Sequence, residues 1–333
     1  MLFATNRVLQ EGPTPKLPEG GFSLPRSINF NLKNNQAEQS IYFGRRKGEN
    51  QYTEIGNQAF FQELKQHPAQ QILLYIHGFS TLPEKGAFAT AETLQRLCDQ
   101  KQPNQVLVVP IIWPCDEDLG MVKDYFDDQM AADASDIAFA RMFEKFLNWR
   151  EVGSTQENPC VKPINLLAHS MGNRVLRGAI VRAIDYFQPQ GFPLIFRNIF
   201  MVAADVSNNT LDLGQQGEYI SHASRNTVVY FAEDDLAMRA SKVANMSIAA
   251  RRLGHTGPEQ MTNVRRNVFA LDCNDFNNTY DRPAGHSYFT TDHQNNPGLV
   301  FDHLWECMRT GRVPMLPNQP RVTILRKRFW VKS

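Results

Sequence analysis

Ile164-Asn165-Leu166-Leu167-Ala168-His169-Ser170-Met171-Gly172 reads as a short apolar strand running into a sharp turn and then a helix. Beyond Gly172, the residues Val175, Leu176, Ala179, Ile180, Ala183, Ile184 and Phe187 recur at three-to-four spacing, which lays one apolar stripe of a helix against a sheet. Ala168 and Gly172, two positions either side of Ser170, are small enough to let the turn close tightly. Such a turn leaves the serine hydroxyl and the amides after it at a helix N-terminus, where developing negative charge is favoured. Serine is also a preferred helix cap, so the segment gains chemical meaning only from what surrounds it.

Further apolar runs lie at 72–76, 106–112, 199–203 and 228–232, with a last strand at 267–272. Between them the spacing is mostly helical, as in Phe88, Ala91, Leu94 and Leu97, or in Phe139, Met142, Phe143, Phe146 and Leu147. Strands alternating with helices predict a mostly parallel central sheet covered by helices on both faces. Toward the N-terminus the pattern changes. A strand is expected at 2–8, a Gly- and Pro-rich loop at 10–26, a half-buried strand at 27–32 with its antiparallel hairpin partner at 40–44, and a helix at 56–66. A single domain over 1–333 is expected, with 1–45 as N-terminal strands and loop and 313–333 as a basic C-terminal tail. In that tail, 321–332 with Phe329, Trp330 and Val331 is read as an edge strand folded back on the domain.

Composition narrows the class. The 333 residues are 42% hydrophobic and 21% charged, within the range of globular proteins, and the net charge of +1 lacks the basic excess of a nucleic-acid binder. Cys98, Cys115, Cys160, Cys273 and Cys307 are scattered singly and are expected to be reduced packing thiols. The N-terminus shows no basic stretch followed by a long apolar one, so neither signal peptide nor membrane span is expected and a cytoplasmic location follows.

Parallel sheets of this kind gather their sites beyond the carboxyl ends of the strands. The strand 72–76 runs into His77-Gly78-Phe79-Ser80, where the tight turn accounts for Gly78. His77 is read as a loop brace rather than a base. The strand 106–112 runs into Trp113-Pro114-Cys115, lining a pocket or packing in the core. The strand 228–232 runs into Glu233-Asp234-Asp235, and Asp205 closes Val202-Ala203-Ala204-Asp205. His286 stands in the loop Ala284-Gly285-His286-Ser287-Tyr288-Phe289, whereas His293 and His303 read as surface or helix residues. The acidic stretch 116–136 reads as a solvated helical face.

Several motifs taken together resemble an uncharacterised branch of bacterial α/β-hydrolases, a domain family of unknown function. They are Phe3-Ala4-Thr5-Asn6-Arg7, Tyr75-Ile76-His77-Gly78-Phe79, His169-Ser170-Met171-Gly172-Asn173-Arg174, Asp235-Leu236-Ala237-Met238 and His286-Ser287-Tyr288-Phe289. Trp113-Pro114 followed by Tyr125, Asp128 and Ala132 is similar to that family's Trp-Pro-Ser segment, with Cys115 in place of the serine, and Ala204-Asp205 lacks its proline. The resemblance implies the α/β-hydrolase fold and a serine hydrolase whose order is nucleophile, acid, base. Ser170 is then the nucleophile, Asp235 the acid with Asp234 and Asp205 as rivals, and His286 the base. The N–H groups of Phe79 and Met171 would bind the oxyanion, and His169, Trp113 and Tyr288 would touch substrate. The expected reaction is cleavage of a small-molecule acyl ester, carboxylesterase- or lipase-like, with no metal or organic cofactor. Thioesterase, lactonase, amidase and acyltransferase chemistry use the same triad, and a non-catalytic binding module on the same scaffold is the alternative of another class. Oligomeric state is not legible from the sequence.

Overall fold

The computed structural model describes residues 1–11, 26–116, 121–153, 160–237 and 251–326. Most of the expected loop at 10–26, Glu117 and Asp118 of the acidic stretch, Met238, and the tail residues Phe329, Trp330 and Val331 lie outside the described residues.

The strands, in chain order, are β1 Leu2–Arg7, β2 Leu9–Glu11, β3 Ser27–Phe30, β4 Ala37–Gly48, β5 Gln51–Glu54, β6 Gln71–Ile76, β7 Val106–Ile112, β8 Ile164–His169, β9 Phe196–Val202, β10 Ser224–Phe231, β11 Val268–Asp272 and β12 Val322–Ile324. They form one twelve-stranded sheet in the order β12-β11-β10-β9-β8-β6-β7-β1-β4-β5-β3-β2. From β12 to β1 every pairing is parallel; from β1 to β2 every pairing is antiparallel. This is an α/β-hydrolase-type arrangement with antiparallel N-terminal strands. It follows from burial on two faces. In β6, Ile72 and Ile76 join one apolar cluster while Leu73 and Tyr75 join the other, and β7 divides in the same way into Leu107, Val109 and Ile111 against Val106 and Val108. Continuous apolar strands are what a sheet covered on both sides requires.

One face is covered by the helices α1 Gly56–Gln66, α3 Met121–Ala134, α4 Asp136–Gly153 and α5 Gly172–Tyr186, the other by α2 Ala89–Lys101 and by the helix Leu299–Thr310. The stripe read in α5 is the one that packs, with Val175, Leu176, Ala179, Ile180 and Ala183 buried. At the amino ends of the strands an asparagine ladder crosses the sheet. Asn226 Nδ2 donates to Asn198 Oδ1 at 2.8 Å and Asn198 Nδ2 to Asn165 Oδ1 at 2.7 Å. Their other amide protons reach Gly311 O, just past the helix Leu299–Thr310, and Cys307 O in its last turn, which also accepts the Gly311 N–H at 2.8 Å.

The N-terminal hairpin is not the expected one. Residues 40–44 belong to the longer β4, which pairs with β1 and β5, and β3 pairs with β2 and β5 instead. The strand β5, Gln-Tyr-Thr-Glu, has a single apolar side chain and so carries no hydrophobic signal of its own. Tyr52 nevertheless anchors it, packing with Phe3, Phe30 and Phe88. At the C-terminal edge, the described part of the tail forms β12 alongside β11. No disulfide joins any of the five cysteines, four of which are buried. Among the described residues no helix is long and apolar enough to cross a membrane.

Candidate active site

The turn between β8 and α5 places Ser170 in the left-handed region at φ 52°, a conformation that costs an L-residue about 1–2 kcal/mol. Hydrogen bonds hold it there. The Ser170 N–H donates to Val202 O at 2.9 Å, and Ser170 O accepts from the Asp205 N–H and the Asn173 N–H, both at 3.1 Å. Asn173 Nδ2 adds bonds to Ala168 O at 3.0 Å and Ser170 O at 3.1 Å. Gly172 is required by space, because a Cβ there would lie 2.5 Å from His77 O and 2.9 Å from Ile76 O. The start of α5 is thereby pressed against the end of β6.

The loop after β6 meets the same turn. A Cβ on Gly78 would stand 3.0 Å from both Ser170 Cβ and His169 Nδ1. His77 is fully buried; its Nδ1–H donates to Gly78 O at 2.8 Å and its Nε2 accepts the Trp113 N–H at 3.1 Å. Trp113 Nε1 donates to His77 O at 2.8 Å, and the two rings stack 5.1 Å apart. Burial pushes the His77 imidazole down to about 4, so it is neutral at pH 7 with both nitrogens occupied. It braces the loop. Among the described residues, neither the Phe79 N–H nor the Met171 N–H donates a hydrogen bond.

Beyond β10, the Asp235 carboxylate is fully buried, and its Oδ2 accepts from His286 Nδ1 at 2.7 Å. The His286 and Ser287 N–H groups both donate to Asp281 Oδ2, at 2.8 and 2.6 Å, which fixes the loop carrying the imidazole. Burial lowers the pKa of His286, but the Asp235 charge and hydrogen bond outweigh it and leave the pKa raised above the ordinary histidine value. His169 bridges this loop to the turn: its Nε2–H donates to His286 O at 3.2 Å and its ring lies 4.7 Å from that of His286. Burial, then repulsion by His286, holds His169 neutral.

The rival carboxylates are engaged elsewhere. Asp234 accepts from Asn278 Nδ2. Asp205 accepts from Tyr125 OH at 2.7 Å and pairs with Arg252 Nε at 3.2 Å. Among the described residues, Asp235 is the carboxylate of the three that hydrogen-bonds His286. His303 is buried in its helix between Tyr230 OH and Pro314 O, and His293 is exposed.

Residues 53–299 match the family described as "Alpha/beta hydrolase of unknown function (DUF900)". The chain belongs to this α/β-hydrolase family. The matched span holds the turn at Ser170, Asp235 and His286. The hydrolase is also similar to a solved structure, "Crystal structure of esterase PE8", at 13% identity and a TM-score of 0.27 over 50% of this chain and 69% of that one. No curated protein matches it.

Two expectations about the hydrolase's pocket need correcting. Trp113 and Tyr288 have no exposed surface: Trp113 is locked against His77, and Tyr288 OH donates to Tyr230 O at 3.3 Å within the core. Neither presents a face to a substrate. The acidic stretch is not uniformly solvated either, since Asp116, Asp124 and Asp128 are buried. Tyr125, Asp128 and Ala132, at three- and four-residue spacing, form an inward stripe of α3 that charge alone concealed. The opening motif acts as a strap on β7 and the loop after it. Thr5 Oγ1 donates to Ile112 O at 2.8 Å and Arg7 Nη1 to Cys115 O at 2.6 Å.

Proposed function

We propose that this α/β hydrolase is a serine hydrolase that cleaves small acyl esters through an acyl-enzyme. The observation that carries the reading is the 2.7 Å hydrogen bond between His286 Nδ1 and the buried Asp235, on a loop tied to His169, the residue before a serine at φ 52°. That bond commits Nδ1 to its proton and leaves Nε2 as the basic nitrogen. In acylation, Nε2 takes the hydroxyl proton of Ser170 while Oγ attacks the carbonyl carbon. The oxyanion is received by the N–H groups of Phe79 and Met171. Collapse breaks the bond to the leaving oxygen, which takes the proton from Nε2. In deacylation water loses its proton to Nε2 and attacks the acyl carbon, and Ser170 Oγ leaves and recovers the proton. Asp235 stays ionised throughout, holding the tautomer and stabilising the imidazolium. His169, beside His286, remains as a substrate contact. No step calls on a metal or organic cofactor.

The reading is tested by turnover of a panel of p-nitrophenyl esters and acyl thioesters across pH. Protonated His286 cannot act as base, so kcat/KM should fall as pH drops through the imidazole pKa and level off above it. Because the Asp235 charge raises that pKa, the inflection should lie above about 6.5, and Asp235→Asn should move it to lower pH in the residual activity. A rate flat through this range, or an inflection that Asp235→Asn leaves in place, contradicts His286 as the base.

A further inference from the structure

We propose that Asp128 is a positioning residue for the oxyanion loop, clamping the Ser80 N–H and through it aiming the adjacent Phe79 N–H. This rests on the reading of Ser170 as nucleophile and goes beyond it to a residue that touches no substrate atom.

The orientation of the Phe79 N–H depends on the two peptide units that flank its Cα. The unit carrying that N–H is held by its carbonyl: Gly78 O accepts from His77 Nδ1 at 2.8 Å and from Cys115 Sγ at 3.5 Å. The following unit is held at both ends, by Thr81 Oγ1 donating to Phe79 O at 3.0 Å and by the Ser80 N–H donating to Asp128 Oδ2 at 2.8 Å. Ser80 itself sits at φ 51°, an unfavourable conformation for a residue with a Cβ, so the loop is not in a position it would hold unaided.

Asp128 is suited to be the external clamp. It lies on α3, outside the loop, and is fully buried. Its Oδ1 accepts the Asp116 N–H at 3.2 Å and Asn35 Nδ2 at 2.9 Å. One carboxylate therefore joins the loops after β6 and β7. Burying it is costly, and burial pushes its pKa up to about 6 against the pull of these donors. Packing alone would be served better by an apolar side chain. An ionised carboxylate accepts N–H groups on both oxygens, as Asp128 does, whereas an amide of the same shape turns one of those ends into a donor.

The test is Asp128→Asn in the full chain, with p-nitrophenyl butyrate as substrate and a short-chain trifluoromethyl ketone, which forms an oxyanion on binding. With the clamp loosened, kcat should fall about 100-fold while KM stays within about twofold, the pattern of a misplaced transition-state donor. The inhibition constant of the ketone should rise by the factor that kcat/KM loses. Asn35→Ala, which removes a bond on the far side of the carboxylate, should lower the melting temperature with kcat preserved. If Asp128→Asn also merely lowers the melting temperature, with kcat and ketone affinity intact, the proposal is overturned. Should Asp128→Asn not fold, an α-hydroxy acid at position 80 replaces the Ser80 N–H by an ester oxygen, with Thr81→Val as the control for the weakened Phe79 carbonyl, and the same loss of kcat is expected beyond that control; retained kcat overturns the proposal. A wild-type chain inert to every ester and thioester defeats the hydrolase reading itself, whereas an active wild type with an unimpaired variant defeats this inference alone.

Discussion

Ser170→Ala will reduce turnover of p-nitrophenyl butyrate by about 10⁶-fold, as expected for loss of the nucleophile of a triad that works as a unit. The hydroxyl is the atom that becomes acylated, and alanine offers no substitute. The fold should survive, because what holds position 170 is its backbone. The N–H bond to Val202 O and the bonds to Ser170 O from Asp205 and Asn173 involve no side-chain atom of the serine. Alanine meets the same left-handed backbone cost as serine, so thermal unfolding should stay close to wild type. Loss of turnover in a folded variant therefore reports chemistry. Retention of wild-type turnover would move the nucleophile elsewhere.

Asp235→Asn is the second large effect, with kcat expected to fall about 10⁴-fold. The asparagine fits the same space, but its amide can donate to Nδ1 and so favours the tautomer with the proton on Nε2, where a base is needed. The neighbouring carboxylates should behave differently. Asp234→Asn alters a half-exposed group bonded to Asn278, and activity should remain near wild type. Asp205→Asn breaks a buried pair with Arg252, which costs stability of about 3–5 kcal/mol when one partner is removed, while kcat per folded molecule persists. If turnover collapses with Asp205→Asn and survives Asp235→Asn, the acid has been misassigned.

The difference between these two residues shows where sequence reasoning runs out. The parallel sheet was legible because strands buried on both faces must be apolar throughout, and the helix after Ser170 because its stripe has to face that sheet. Gly172 and Gly78 were legible because each sits where a side chain would strike the neighbouring backbone or side chains. Asp235 was preferred to Asp234 and Asp205, but order along the chain does not separate the three, since all lie between Ser170 and His286. Adjacent carboxylates at a strand end point in different directions, and Asp205 is diverted by Tyr125 and Arg252, residues 80 and 47 positions away. Trp113 and Tyr288 carry polar atoms near the site in sequence, yet their partners are backbone carbonyls inside the core. Asp128 was marked by the family resemblance, but its burial was hidden because it stands in a run of acids whose average character is exposed. Strand β5 was missed because its one anchor, Tyr52, is recognisable only with Phe3, Phe30 and Phe88 around it.

The central claim is that Ser170 is an activated nucleophile, and covalent labelling reads this without knowledge of the natural substrate. Purified protein treated with a fluorophosphonate should gain one phosphonyl group per chain, found by mass spectrometry on the peptide containing Ser170. Ser170→Ala should gain none, and Asp235→Asn should react far more slowly. A folded wild-type chain that takes up no label, or takes it up on another residue, contradicts the account.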